Sequence, residues 1–387
     1  MLEAQSKKIC VITGSRAEYG LLRPLLHAIK ESKSLRLSLA VTGMHLSHYF
    51  GYTKTEIVDD GFDISLEVDA MMAGDDGASV AKSLALGILG FTDGFKTLRP
   101  DLVLVLGDRY EVFAAAQAAF LMNIPIAHIH GGETTQGAFD EGIRHSITKM
   151  SALHFVSAEA HFKRVCQLGE DVANVHNVGA LGIENILREQ LIERGELAKI
   201  LDVEFSESNV LVTYHPVTLG GGVSVKNFLN LLAAINKKKN QSIFITYPNS
   251  DAEGRQLIRE IENVEAKNNN KVFKFKSLGT IKYLSLVRTV NLVIGNSSSA
   301  LIEVPYLGTP VVDVGDRQLG RLRSRGVVHS DGTEGSILFA MEKAQSTSAM
   351  KLLLADKFLY GNGNTSSKIV KVLEDAIPTT QKKFVDN

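Results

Sequence analysis

The sequence of 387 residues contains no tryptophan, only eight prolines and only two cysteines. Cys10 lies in a predicted strand and Cys166 in a predicted helix, so neither their number nor their spacing fits a disulfide framework or a cysteine-bound metal site. The sequence therefore predicts two buried thiols.

No apolar run reaches the roughly 18 to 20 residues that span a bilayer, and the N-terminal stretch lacks the apolar core of a signal peptide. An excess of charge of one sign is also missing, because 42 basic and 43 acidic residues are interleaved and give a net charge of −1. We therefore expect no nucleic-acid or membrane partner, a cytoplasmic location and a small molecule as the ligand.

Short β-rich apolar runs alternate with longer helical patterns along most of the chain. This alternation is typical of parallel strands joined by helices. The pattern restarts after a polar helical stretch that follows Asn185. The predicted strands contain the segments ICVIT, LSLAVTG, LVLVLGD, IPIAHIHGG, LHFVSAE, VHNVGAL, NVLVTYHP, SIFITYPNS, KVFKFKSL, NLVIGNSSS and TPVVDVGD.

The predicted fold class is α/β, with two Rossmann-like domains, which a chain of 387 residues with 44% hydrophobic composition is long enough to form. The predicted boundaries are 1–181 for the N-terminal domain, 182–365 for the C-terminal domain and 366–387 for a C-terminal helix and tail that pack back on the first domain. Ligands of open parallel sheets bind at the carboxyl ends of the strands, so polar residues that follow strands are the candidates for function.

Small polar residues follow a predicted strand in VIGNSSSALIEVP. Ser297 and Ser298 would put hydroxyls and free backbone N–H groups at a helix start, which suits a phosphate or pyrophosphate. Glu303 could accept a hydrogen bond from a ribose, and Arg317, after the next strand, is a second donor for a diphosphate. Serine is also an ordinary N-cap and Arg317 could form a surface salt bridge, so both interpretations stay open.

Carboxylates gather after the strands of the first half. Asp108, Glu133 and Asp140 each follow or flank a strand end, and crowded carboxylates raise one another's pKa toward values useful for acid and base catalysis. Any one of them could instead cap a helix. In the second half, His215 follows a strand and is held in an extended conformation by Pro216.

His128 and His130 alternate within one predicted strand, so we expect one of them to face the core. None of the candidate residues has the spacing of metal ligands. We therefore expect chemistry without a metal or a cofactor.

Between about Lys8 and Lys371 the chain contains, in this order, the motifs TGSRAEYG, VLGDRYE, HIHGGE, DEGIRHSITKMS, YHPVT, IGNSSSALIEVP and VGDRQLGR. Together they resemble the motifs of the hydrolysing UDP-N-acetylglucosamine 2-epimerases. The resemblance implies the GT-B type of fold, in which two Rossmann-like domains face a cleft. It also implies that UDP-N-acetylglucosamine and water give UDP and N-acetylmannosamine, a precursor of sialic-acid-type sugars. UDP is eliminated first to leave 2-acetamidoglucal, which is then hydrated.

The resemblance also implies a role for particular residues. Contacts to UDP are implied for Arg16, Asn249, Ser297, Ser298, Glu303 and Arg317. The sugar site is implied to be lined by Asp108, Glu133, Asp140, Arg144 and His215. We expect Asp108 and Glu133 to transfer protons, with Asp140 as an alternative base. Relatives carry a lysine near the position of Leu21, so Arg16 and Arg109 are expected to supply the cationic donors of the first domain.

Several alternatives remain open at this point. The same reaction could act on a UDP-2,4-diacetamido-2,4,6-trideoxyhexose, or a non-hydrolysing 2-epimerase could return the epimeric UDP sugar. A glycosyltransferase of the GT-B type or a sugar-nucleotide binding protein without turnover would share the nucleotide site. The resemblance further implies a homo-oligomer, either a dimer or a tetramer.

Overall fold

The computed structural model describes residues 6–48, 51–72, 74, 76–135, 139–216, 223–248, 254–375 and 379–386. The chain divides into two compact units. Unit 1 contains residues 1–133, 139–185 and 361–387, and unit 2 contains residues 134–138 and 186–360. For comparison, the boundaries predicted from the sequence are 181/182 and 365/366.

Unit 1 is built on a parallel sheet of seven strands with helices in the connections. Its strands are β1 (Lys7–Thr13), β2 (Leu35–Thr42), β3 (Ile64–Val68), β4 (Leu102–Leu106), β5 (Ile126–Ile129), β6 (Leu153–Val156) and β7 (Val175–Asn177). Its helices are α1 (Arg16–Glu31), α2 (Lys54–Asp59), α3 (Gly77–Leu98), α4 (Tyr110–Leu121), α5 (Asp140–Met150), α6 (Glu159–Gln167), α7 (Leu181–Arg188, which continues into unit 2) and, near the C-terminus, α15 (Thr365–Asp375). The order of the strands in the sheet is β3-β2-β1-β4-β5-β6-β7.

Unit 2 is built on a parallel sheet of six strands. Its strands are β8 (Ser208–Thr213), β9 (Gln241–Thr246), β10 (Lys271–Phe275), β11 (Leu292–Gly295), β12 (Val311–Val314) and β13 (Val328–Ser330). Its helices are α8 (Arg194–Leu201), α9 (Val223–Ile235), α10 (Gly254–Glu262), α11 (Gly279–Thr289), α12 (Glu303–Leu307), α13 (Glu334–Ala344) and α14 (Thr347–Ala355). The order of the strands is β10-β9-β8-β11-β12-β13.

The central strands are apolar because both faces of each sheet are covered. In β1, Ile9 and Val11 pack in one hydrophobic cluster, whereas Cys10 and Ile12 pack in the cluster on the other face. Burial raises the pKa of Cys10 to about 12, as expected for an inert thiol. Cys166 differs from the prediction of a buried thiol, since it is only partly buried.

The predicted alternation of strands and helices is confirmed, and each of the eleven predicted strands is present. The sequence missed β3 and β13. Both lie at the edge of their sheets, where one side of the strand has no neighbour and side chains alternate between buried and exposed, so the continuous apolar signal is lost.

The C-terminal helix α15 packs within unit 1. Ile369 and Leu373 belong to the same buried cluster as Leu22 and Leu26 of α1. The Lys7 ammonium donates to the carbonyl oxygen of Leu373 at 3.2 Å, which ties the end of α15 to the start of β1. None of the helices in the described part of the chain is long and apolar enough to cross a membrane.

Candidate active site

Four of the candidate residues follow strands next to the point where the strand order reverses. In unit 1 this point lies between β1 and β4, and in unit 2 between β8 and β11. Arg16 follows β1 and Asp108 follows β4, whereas His215 and Ser297 follow β8 and β11. Connections diverge to opposite faces of the sheet at such a point and leave a crevice, where open α/β sheets bind their ligands.

Arg144 organises the carboxylates of unit 1. Its guanidinium is 1% exposed, pairs with Asp108 and donates to the backbone carbonyl of Glu133 at 3.0 Å. The guanidinium also donates a hydrogen bond of 2.7 Å to the Glu141 carboxylate. Burial disfavours the charged guanidinium, but Asp108 and Glu133 stabilise the charge more strongly and raise the pKa of Arg144. The structure thus brings Asp108, Arg144 and the backbone of Glu133 together, and the catalytic role of the carboxylates stays a prediction.

Helix α5 explains why Arg144 can reach both neighbours. The helix begins at Asp140, and Asp140 and Glu141 lie in its first turn, where the helix dipole favours negative charge. Arg144 follows one turn later on the buried face. Asp140 is only partly buried, and its predicted role as a base stays a prediction.

The carboxylate of Glu133 is held by groups that the sequence analysis missed. Ser157 Oγ donates to Glu133 Oε1 at 2.8 Å, and His161 Nδ1 lies 2.9 Å from the same hydroxyl oxygen. His130 Nδ1 is 3.2 Å from Glu133 Oε1. Ser157 directly follows β6, and this position is a signal that the sequence offers. The burial of Ser157 and His161 is unusual for polar side chains and depends on packing.

His128 lies in β5 and His130 directly follows that strand, and the two side chains have different surroundings. His128 is fully buried, with Nε2 2.8 Å from the carbonyl oxygen of Gly107 and Nδ1 3.1 Å from Thr148 Oγ1. Burial lowers the pKa of His128 to about 3, so this side chain is a neutral core histidine. His130 follows the last residue of β5 and faces Glu133 instead.

A second group of charged residues lies after β1 and β4. Glu18 Oε2 accepts a hydrogen bond of 2.7 Å from the backbone N–H of Gly14, and burial raises the pKa of Glu18 to about 7. Arg109 forms two bonds with the buried carboxylate of Glu111, at 3.1 and 3.2 Å. Arg16 is more exposed and makes a long contact of 3.4 Å with Glu56. Of the two arginines that the sequence analysis selects here, Arg109 is therefore firmly held.

In unit 2, Asn296 locks the ends of β8 and β11 together. Its side-chain oxygen accepts from the backbone N–H of His215 at 2.7 Å, and its amide nitrogen donates to the carbonyl oxygen of His215 at 2.8 Å. The preceding Gly295 has a φ of +152°, and a Cβ atom there would lie 1.9 Å from the carbonyl oxygen of Thr213. Glycine is required at this position because the two backbones approach so closely.

The predicted phosphate site has hydroxyl and guanidinium donors but only a short helix. Ser297 caps the 3₁₀ turn Ser298–Ala300, since its hydroxyl oxygen accepts from the backbone N–H of Ser299 at 3.4 Å. Glu303 begins α12, which has five residues, so the helix dipole contributes little. Arg317 Nη1 donates to the carbonyl oxygen of Asn296 at 3.0 Å, which places this arginine beside the serines.

His215 is buried and uncharged. Burial, together with the nearby guanidinium of Arg317, lowers the pKa of His215 to about 3. A neutral imidazole can offer one N–H donor to a phosphate or a sugar hydroxyl but no positive charge. Asn249 lies outside the described residues. The described residues contain no group of three or more histidine, cysteine, aspartate or glutamate side chains that could hold a metal ion.

Comparison with known proteins identifies similar sequences over nearly the whole chain. The family model of UDP-N-acetylglucosamine 2-epimerase matches residues 27–374. A Campylobacter jejuni relative named GDP/UDP-N,N'-diacetylbacillosamine 2-epimerase (hydrolyzing) is 42% identical over 84% of each chain. The polysialic acid biosynthesis protein P7 of Escherichia coli is 37% identical over 98% of this chain and 97% of its own. A Legionella pneumophila relative named UDP-N,N'-diacetylbacillosamine 2-epimerase (hydrolyzing) is 36% identical over 95% and 96%.

Solved structures share the fold. The UDP-GlcNAc 2-epimerase of Neisseria meningitidis, solved bound to UDP-GlcNAc, superposes with a TM-score of 0.79 at 19% identity, covering 95% of this chain and all of the other. A putative UDP-N-acetylglucosamine 2-epimerase from Listeria monocytogenes gives the same TM-score at 17% identity, covering 95% and 96%. The predicted fold class, two Rossmann-like α/β domains of the GT-B type, is thereby confirmed.

Proposed function

Because the chain belongs to the UDP-N-acetylglucosamine 2-epimerase family, we propose that it is a hydrolysing epimerase. It converts a UDP-activated 2-acetamido sugar and water into UDP and the free sugar inverted at C2. The observation that carries the proposal is the buried Arg144, which pairs with the Asp108 carboxylate and donates to the Glu133 backbone carbonyl in the segments that follow β4 and β5. Acid and base groups held together in this way suit a reaction in which a proton leaves one face of a carbon and another is added to the opposite face.

The reaction needs two kinds of assistance. In the first step the C2–H bond and the C1–O bond to UDP break, and a C1–C2 double bond forms. In the second step water adds to C1 and a proton adds to C2. Proton transfer falls to the acidic cluster of unit 1, where Asp108 and Glu133 are the proposed acid and base groups and Asp140 is the alternative base.

The leaving UDP needs donors for its negative charge. Ser297, Ser298 and Arg317 of unit 2 are the proposed donors, and Glu303 is the proposed acceptor for a ribose hydroxyl. His215 would add a neutral N–H donor. Arg16 and Arg109 of unit 1 are proposed as further cationic donors, of which Arg109 is already oriented by Glu111.

Two UDP sugars are candidate substrates. UDP-N-acetylglucosamine is the substrate that the sequence motifs imply. The relatives that are 42% and 36% identical are both named for N,N'-diacetylbacillosamine, and this observation favours a UDP-2,4-diacetamido-2,4,6-trideoxyhexose. Both sugars carry the 2-acetamido group and the C2 hydrogen that the proposed chemistry requires.

The test is to incubate the protein with each UDP sugar in the presence of EDTA, follow the release of UDP and identify the product by NMR. We expect one sugar to give free UDP and the free 2-epimer at a higher kcat/KM than the other. An epimeric UDP sugar without free UDP would identify a non-hydrolysing epimerase. If the protein binds UDP but turns over neither sugar, it is a sugar-nucleotide binding protein and the proposal is contradicted.

A further inference from the structure

The two imidazole nitrogens of His130 have different surroundings, since one faces a carboxylate and the other has no hydrogen-bond partner among the described residues. Nδ1 lies 3.2 Å from Glu133 Oε1, and the side chain is 12% exposed. Nε2, on the opposite side of the ring, is buried and has no hydrogen-bond partner among the residues that the structure describes. A buried nitrogen without a partner costs stability, and such groups in native proteins often belong to a functional site.

The backbone at His130 is also strained. Its φ is +65°, in the left-handed region that residues other than glycine seldom occupy. The backbone N–H of His130 nevertheless donates to the carbonyl oxygen of Phe155 at 2.9 Å, so the sheet holds the residue in this conformation. Backbone strain of this kind persists where the surrounding structure fixes it and is concentrated at functional sites.

Glu133 is placed to orient the ring. Ser157 Oγ donates to the same carboxylate oxygen at 2.8 Å, and His161 stands behind Ser157, so Glu133 has anchors other than His130. A carboxylate oxygen 3.2 Å from Nδ1 repels a lone pair there and attracts an N–H group, so Glu133 favours the tautomer of His130 that carries its hydrogen on Nδ1. In this tautomer Nε2 keeps its lone pair and is a base.

We propose that His130 is a catalytic residue of the epimerase, that its Nε2 takes the place of Glu133 as the base that removes the proton from C2 of the sugar, and that Glu133 is the positioning residue for its ring. The inference rests on the proposed function. The C2–H bond breaks and its electrons form the C1–C2 double bond, while the C1–O bond breaks and its electrons leave with UDP. The proton stays on Nε2, and the resulting imidazolium is stabilised by the Glu133 carboxylate, as in other carboxylate–histidine pairs.

The variant His130→Asn separates a catalytic role from a structural one. The asparagine amide can place an N–H group near the position of Nδ1, facing Glu133, but it has no atom at the position of Nε2. We expect kcat to fall by about 10²-fold or more, while KM and the dissociation constant of UDP change by no more than a few fold. The matched control is His48→Asn, at an exposed histidine, which should leave kcat within twofold of the wild type.

Two results would overturn the proposal. One is a His130→Asn variant whose kcat lies within threefold of the kcat of an active wild type. The other is a ¹⁵N NMR spectrum of histidine-labelled protein in which the His130 resonances, assigned by their loss in the variant, show hydrogen on Nε2 and none on Nδ1 at neutral pH. A wild type that turns over neither UDP sugar refutes the proposed function, and the catalytic role of His130 with it. The tautomer alone then still decides whether Glu133 orients the ring.

Discussion

The ammonium nitrogen of Lys382 lies 2.6 Å from Oε2 of Glu170, a carboxylate that is 2% exposed. The same ammonium donates to the carbonyl oxygen of Lys149 at 2.8 Å, in the last turn of α5. The C-terminal tail therefore holds the end of the helix that carries Arg144. Burial would raise the pKa of Glu170, but hydrogen bonds from His154 and the two lysines outweigh it and lower this pKa to about 2.

Replacing the tail lysine should destabilise unit 1. Lys382→Met removes one of the donors to the buried Glu170 carboxylate. It also removes the donor to the Lys149 carbonyl oxygen in the last turn of α5. We expect the free energy of unfolding to fall by about 1 to 3 kcal/mol, the usual cost of leaving buried polar groups without partners. Thermal unfolding followed by circular dichroism measures the change.

The neighbouring Lys383 is exposed and provides the control. Lys383→Met should change the free energy of unfolding by less than about 0.5 kcal/mol, as is usual at the surface. Equal stability of the two variants would show that the contact between the tail and Glu170 contributes nothing.

Glu18 predicts a loss of stability as pH rises. Burial raises its pKa in the folded protein to about 7, above the ordinary value of 4.5, so the folded state binds more protons than the unfolded state between these pH values. The contribution of Glu18 to stability is therefore fully present below pH 4.5 and is lost as the pH rises toward 7. Glu18→Gln cannot ionise, and its stability relative to the wild type should increase by about 2 to 3 kcal/mol between pH 4.5 and pH 8.

Denaturant unfolding at a series of pH values tests this prediction. Glu31→Gln, at an exposed position of the same helix α1, is the control and should follow the pH profile of the wild type. If Glu18→Gln also follows that profile, the carboxyl group of Glu18 is not perturbed in the folded protein.

The nucleotide site makes a prediction about affinity. Arg317→Ala removes a guanidinium from a dianionic ligand. Ser297→Ala removes a hydroxyl whose oxygen already accepts from Ser299 and whose hydrogen can be donated. Each substitution should weaken UDP binding by roughly 1.5 to 3 kcal/mol, as expected for hydrogen bonds to a charged group.

Isothermal titration calorimetry with UDP alone provides the measurement, because no turnover is needed. Arg288→Ala is the control, since Arg288 pairs with Glu193 at the surface of unit 2. Unchanged UDP affinity in both site variants would remove Arg317 and Ser297 from the nucleotide site.

We expect turnover to depend on the carboxylates of Asp108 and Glu133. Asp108→Asn and Glu133→Gln keep the size of each side chain but remove its charge and its ability to take a proton. Each should lower kcat by about 10²-fold or more and leave the affinity for UDP within a few fold. In D₂O the wild-type product should carry deuterium at C2, because the proton that is returned comes from solvent.

Asp93→Asn, at an exposed position of α3, is the matched control and should retain full activity. Full activity in both site variants would make the two carboxylates structural. A product without deuterium at C2 would point to simple hydrolysis of the glycosyl phosphate, with the configuration of the sugar retained.

The sequence by itself determined the fold class and the end of the sheet where function is located. Parallel strands covered on both faces are continuous apolar runs, so β1, β4 and β11 are visible as such. Polar residues directly after a strand must lie at its carboxyl end, and this fixes the position of Asp108 and Ser297 without any knowledge of packing. The edge strands β3 and β13 were missed because exposed side chains interrupt their apolar runs.

Only the tertiary structure decided which polar groups meet. The Glu133 carboxylate meets Ser157 from the connection after β6, and His161 of α6 contacts that serine. The backbone carbonyl of Glu133 meets Arg144 from α5, and no local pattern encodes these contacts. The same holds for Lys382 and Glu170, which are distant in the sequence. Periodicity reports which face of an element is buried, but the partner of a buried polar group depends on how separate elements pack. In this protein that packing gives the buried Arg144 and Glu170 their partners.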